Sequence, residues 1–164
     1  MSRMLLTVAA CAIIGSGSVA RDDQDAAFVT LVHVDTGKVL AIADNSDEGG
    51  ARAVLAKLDE KEQAQQWKLT KDGTHYKLTN RKTGKVLDVN ENSTDEGAAI
   101  IQWDDKSEDN DNQRWSWVGD GKERRLKSKS SGHVLDVDDE SKLVQKKASE
   151  TGKGQLWKVV EVKK

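Results

Sequence analysis

With 164 residues, 33% of them charged, a mean hydropathy of −0.69 and a formal charge of −2, the chain is sized for one domain. Without its first 20 residues, which hold one arginine and no acid, it carries 25 basic and 28 acidic side chains. That balance excludes capture of nucleic acid or of an anionic membrane by charge alone. The single cysteine, Cys11, lies in the same N-terminal stretch, so beyond it no internal disulfide can form and the fold rests on burial.

In chain order, Arg3 precedes an apolar run from Met4 to Ile14, and Ser18-Val19-Ala20 closes it with small residues. This reads as a secretory signal over residues 1–20, too short and interrupted to span a bilayer. Export to a secreted or periplasmic location follows as an expectation. Val8-Ala9-Ala10-Cys11 offers the alternative of a lipoprotein, in which membrane attachment would come only through an acylated Cys11.

Beyond this segment one sentence is written three times. Thr36-Gly37-Lys38-Val39-Leu40-Ala41-Ile42, Thr83-Gly84-Lys85-Val86-Leu87-Asp88-Val89 and Ser131-Gly132-His133-Val134-Leu135-Asp136-Val137 recur every 47 to 48 residues. Each is followed by Gln-x-Trp, ending at Trp67, Trp115 and Trp157. A period of this length marks a supersecondary unit that cannot bury its apolar side alone. Between the landmarks lie short alternating runs such as Tyr76–Thr79, Ala99–Trp103 and Trp115–Val118, punctuated by Asp72-Gly73, Asp95-Glu96-Gly97 and Asp120-Gly121. These predict four strands per repeat, about twelve in all. Residues 51–66 favour a helix by propensity, but their counterpart contains Ile-Ile-Gln-Trp and an Asp/Asn-rich loop, so strand and loop are expected in both.

Three such units must close on one another to remove exposed strand edges. The expected fold is therefore all-β, a β-trefoil with pseudo-threefold symmetry. Its domain spans residues 27–164, with repeats at about 27–70, 75–118 and 124–162. Leu40, Leu87 and Leu135 should share a core with Trp67, Trp115 and Trp157.

With three in-phase Val-Leu-x-(Val/Ile) and Gln-x-Trp pairs, residues 28–162 resemble the ricin-type β-trefoil lectins, also found as carbohydrate-binding modules of secreted glycosidases. The chain departs from that family in lacking cysteines within the repeats. The resemblance implies that a sugar-binding repeat supplies a carboxylate, an aromatic platform and an Asn-Gln pair. The second repeat has all four as Asp88, Trp103, Asn112 and Gln113. By position the first has Ala41, Lys57, Ala64 and Gln65, and the third Asp136, Lys146, Gly154 and Gln155. In this reading Asp88, Asn112 and Gln113 bond sugar hydroxyls while Trp103 stacks on the C–H face. Galactose, N-acetylgalactosamine or a xylan-type glycan is the implied ligand. Structural roles compete with this. Gln113 recurs in every repeat, and Asp136 persists in a repeat without a platform.

Other signals are weak. Asp88-x-Asn90-x-Asn92 begins like a calcium loop but has Ser93 at the glycine position. The acid-rich run Asp104–Asp111 reads as a solvated loop. His33, His75 and His133 have no ligand partners at metal spacing and read as surface histidines. Asn92-Ser93-Thr94 is a glycosylation sequon, meaningful only in a eukaryotic secretory pathway. No nucleophile triad, phosphate loop or justified pair of catalytic carboxyls is apparent. The expectation is a non-catalytic binding module with no metal or cofactor, whose partner is a glycan or glycoconjugate. A protein-interaction or inhibitor trefoil, with the site residues as relics, is the alternative; oligomeric state stays open.

Overall fold

The computed structural model describes residues 27–163; the expected signal segment and Cys11 lie outside the described residues. Among the described residues there are twelve strands and no α-helix. The first repeat contributes β1 (Val29–His33), β2 (Val39–Ile42), β3 (Ala53–Ala56) and β4 (Trp67–Asp72). The second contributes β5 (His75–Asn80), β6 (Val86–Val89), β7 (Ile100–Trp103) and β8 (Trp115–Val118). The third contributes β9 (Arg125–Ser128), β10 (Val134–Val137), β11 (Leu143–Lys146) and β12 (Trp157–Glu161). Segment 51–66, despite its helix-favouring composition, forms β3, a loop and a 3-10 turn at Gln63–Gln65.

Pairing explains why twelve short strands are stable together. The outer strands of each repeat meet through β1–β4 and β5–β8 and through an Arg124–Trp157 bridge in the third repeat. Successive repeats join through β4–β5 and β8–β9, and β12 returns to β1 over five residue pairs. The circuit closes and leaves no barrel edge. The inner hairpins β2–β3, β6–β7 and β10–β11 cap one end, linked by the bridges Arg52–Ile101, Ala99–Val144 and Val54–Lys142. This is a β-trefoil, as the triplication predicts.

The core repeats with the sequence. Trp67, Trp115 and Trp157 are fully buried with Leu40, Leu87 and Leu135. Each indole N–H donates to the carbonyl of its repeat's leucine, at 3.2, 3.1 and 3.3 Å. A buried indole thus leaves no polar atom unpaired and locks the Gln-x-Trp segment onto the Val-Leu strand. The repeated glycine before each such strand sits at φ near +70°, a turn that side chains with a Cβ rarely adopt.

Two sequence expectations need correction. Val39 pairs with Ala56 just as Val86 pairs with Trp103 and Val134 with Lys146. The first-repeat counterpart of Trp103 is therefore half-buried Ala56, not Lys57, because the ladder fixes a register that loop lengths leave ambiguous. His33 is not a surface histidine. It is 2% exposed, its ring lies 5.1 Å from that of Trp157, and Nδ1 is 2.9 Å from the Thr36 hydroxyl. Burial lowers its pKa and favours the neutral ring.

Candidate functional site

Asp88 lies on β6 and Trp103 on β7, and the antiparallel register relates them. Asp88 faces Ile101 and Val86 faces Trp103, so the four side chains share one side of the hairpin while Leu87 and Gln102 take the other. A shallow hollow of about 370 Å³ opens there, lined by Asp88, Asn90, Glu91, Ile101, Trp103 and Lys106. Trp103 is 44% exposed at its rim, whereas Asp88 is only 2% exposed.

The carboxylate is held from behind. Asn112 Nδ2 donates to Asp88 Oδ1 at 2.8 Å and to the Val89 carbonyl at 2.9 Å. Gln113 Nε2 donates to Asp88 Oδ2 at 2.8 Å and to the Asp104 carbonyl at 2.9 Å. Both amides come from the 3-10 turn Asp111–Gln113, which Arg114 separates from the core Trp115, and both are fully buried. Their N–H groups are committed to Asp88 and to backbone, and in this geometry they aim the acid rather than reach the hollow. A carboxylate offers about four lone-pair directions; the two amides take one on each oxygen, and the Lys106 ammonium lies 3.7 Å from Oδ2.

Gln113 also has a duty shared by all repeats. Its Oε1 accepts from the Lys106 backbone N–H, as Gln65 does from Asp59 and Gln155 from Ser149. The Nε2 atoms of Gln65 and Gln155 likewise reach the Lys57 and Lys147 carbonyls. This clamp on the loop after the third strand accounts for a glutamine in every copy, with or without an acid to hold.

Lys106, Asn90 and Glu91 also line the hollow, and the sequence reading did not place them there. The Lys106 ammonium lies 3.2 Å from Asn112 Oδ1 and 3.7 Å from Asp88 Oδ2. Its signal was weak, a lone cation in an acidic loop. That loop is in fact tied down by Lys85–Asp104, Lys77–Asp105 and Lys129–Asp111 ion pairs. Burial raises the Asp88 pKa from its ordinary value, while Gln113, Lys106 and Asn112 pull it back toward ionisation. Among the described residues no group of three or more His, Cys, Asp or Glu side chains could hold a metal ion.

The other repeats are incomplete in different ways. In the first, Ala41 and Ala64 replace the acid and the asparagine, leaving Gln65 alone. In the third, Gln155 still donates to Asp136 Oδ2 at 2.9 Å, but Gly154 stands where Asn112 would be. Asp136 Oδ1 has turned into that space. It accepts from the Val137 N–H at 2.6 Å, and a Cβ on Gly154 would lie only 2.9 Å from it.

Fold and site together define a β-trefoil in which one repeat presents an acid and an indole to a common hollow. The chain belongs to the ricin-type beta-trefoil lectin domain-like family, whose model matches residues 18–103 and 111–164. Among solved structures it is similar to the designed threefold-symmetric protein ThreeFoil, with 32% identity and a TM-score of 0.75 over 81% of this chain and 97% of that one. It is also similar to an exo-beta-1,3-galactanase from Clostridium thermocellum, at 30% identity and a TM-score of 0.75. There the match covers 84% of this chain but only 31% of the galactanase. A Polyporus squamosus lectin bound to a sialylated epitope shares the fold at 17% identity and a TM-score of 0.68. No curated protein matches the chain.

Proposed function

We propose that this protein is an exported, non-catalytic carbohydrate-binding module that takes a neutral glycan in its second repeat. The observation that carries this reading is the open hollow shared by the buried Asp88 carboxylate and the exposed Trp103 ring. Asp88 accepts from two neighbouring hydroxyls, one on each oxygen, through charge-assisted bonds. Trp103 supplies the apolar platform for the C–H face, which gives its exposed ring a purpose. Asn112 and Gln113 keep the acid in place. Galactose, N-acetylgalactosamine or a xylan-type chain is the ligand class, in keeping with family membership. Catalysis would need two carboxyls flanking a scissile bond; the hollow offers buried Asp88, braced by two amides, and Glu91 exposed at its edge.

The hollow also selects by charge. Asp88 and Glu91 bring two carboxylates against one ammonium, which already faces Asp88. A sialic or uronic acid would meet net negative charge, so neutral sugars are favoured. Such a shallow, hydrated site should bind weakly, with Kd from about millimolar to tens of micromolar. Strong adhesion would therefore require clustered ligands.

A glycan array on the full chain, followed by titration with galactose and xylose, tests the reading. Trp103→Ala should abolish detectable binding and leave the melting temperature unchanged, because the ring covers no core. Binding that survives this change, or the absence of any glycan response from the unaltered chain, would refute it.

A pH titration gives an independent check. The ionised form of Asp88 is the hydroxyl acceptor, and its pKa is raised. Affinity should hold at neutral pH and fall on acidification, with a midpoint above that of an ordinary aspartate. The sign for stability is opposite. Ionisation of this buried group weighs against the fold, so its contribution worsens as pH rises from the unfolded to the folded pKa. Affinity that stays constant down to pH 3 would remove Asp88 from the site.

A further inference from the structure

The geometry points to Gly49, in the first repeat, as the residue that seats the Trp103 platform of the second. This inference rests on the sugar-site reading above. A Cβ built on Gly49 would lie 3.3 Å from both Cε3 and Cζ3 of Trp103, and one on Gly50 would lie 3.5 Å from Cζ3. Carbon atoms in optimal contact lie about 3.5–4.0 Å apart, so any side chain at position 49 encroaches on the indole. Gly50 has φ +86° and needs glycine for its backbone alone, whereas Gly49 has no positive φ. At Gly49 the missing side chain is what the ring requires.

The seat is fixed because the first-repeat loop is clasped by the residue preceding the platform. Gln102 is fully buried, and its Nε2 donates to the carbonyls of Ser46 and Glu48, each at 2.9 Å. Its Oε1 accepts from the Thr83 hydroxyl at 2.9 Å. The backbones also pair, Gly50 N–H to the Gln102 carbonyl and Gln102 N–H to the Ala51 carbonyl, at 2.8 and 2.9 Å. The clasp holds the backbone at Trp103 against the loop, so the ring emerges beside Gly49.

The next junction gives an internal comparison. Gln145 repeats the clasp on the second-repeat loop, donating to the Ser93 and Asp95 carbonyls at 3.0 and 2.9 Å. There the platform position is Lys146, and the loop residue equivalent to Gly49 is Glu96. Glu96 uses the space to accept from the Lys147 backbone N–H at 3.2 Å. In the first repeat the position of Gln102 is Leu55, which has no amide to clasp with. Glycine in the loop therefore accompanies the indole, and glutamate accompanies the lysine. The sugar site is a joint product of two repeats.

The experiment labels the full chain with 5-fluorotryptophan and follows the Trp103 fluorine resonance, assigned through Trp103→Phe. Gly49→Val should shift that resonance well beyond the other four and weaken galactose binding about tenfold. Gly49→Ala should do the same to a smaller degree. Glu96→Gly, at the equivalent position facing Lys146, should change neither. Position 49 is exposed, and the melting temperature verifies that each variant is folded. An unmoved Trp103 resonance, or unchanged galactose affinity, in folded Gly49→Val overturns the inference while the sugar site stands. Galactose binding that survives Trp103→Ala sinks the site reading instead, and with it any role for the seat in binding.

Discussion

Asp88→Ala will eliminate glycan binding while the fold survives. Each charge-assisted hydrogen bond to a sugar hydroxyl contributes roughly 1.5–3 kcal/mol, so losing two weakens binding by at least about 100-fold. From a weak starting affinity that is loss of all measurable binding. The effect on stability is smaller because two terms oppose. The amides of Asn112 and Gln113 lose an acceptor, but each nitrogen keeps a backbone partner in Val89 or Asp104. Removing a carboxylate whose burial disfavours its charge offsets part of that cost. Calorimetric titration with the best array glycan, beside a thermal melt, separates the two quantities. A variant that still binds would mean that the ligand touches the ring and not the acid.

Trp115→Ala will have the largest effect on stability. The indole is fully buried, donates to the Leu87 carbonyl at 3.1 Å, and pairs opposite Tyr76 and Ser128 in the barrel. Replacing a buried tryptophan by alanine costs about 3–5 kcal/mol, and domains of this kind are stable by about 5–15 kcal/mol in total. No disulfide within the described residues limits the loss, since the only cysteine is Cys11. Leu87 directly precedes Asp88, so the site should loosen as well. Urea denaturation should show a midpoint far below that of the unaltered protein, in contrast with the unchanged stability of Trp103→Ala. Equal midpoints for the two tryptophan variants would contradict the assignment of one ring to the core and the other to the surface.

Much of the architecture was legible because burial is periodic. Leu87 with Trp115, and their counterparts in the other repeats, had to be core, since a unit repeated three times must hide the same residues three times. The juxtaposition of Asp88 with Trp103 was implied by the resemblance to ricin-type lectins and not by spacing, since the platform position stands 19 residues after the repeated glycine in two repeats and 14 in the third. Less visible was what lies behind them. Asn112 and Gln113 carry the residue types of hydroxyl ligands, yet they are buried braces, a distinction that depends on depth and not on identity. Lys106 reaches the acid through the folding of its loop. The true counterpart of Trp103 in the first repeat, Ala56, emerged only from strand register.

The triplicated pattern prescribes the trefoil and its shared core of Leu40, Leu87 and Leu135 with Trp67, Trp115 and Trp157, and the family resemblance marks the one repeat that keeps both an acid and a ring. Fold and core follow from local spacing and from the need of each unit to cover its apolar side. How the repeats serve one another depends on the packing between them. His33 disappears under Trp157 across the closing seam, and Gly49 meets an indole 54 positions further along the chain. Closure of the barrel makes the first contact and packing between the inner hairpins the second, and a repeating pattern describes the unit while remaining silent about its neighbour.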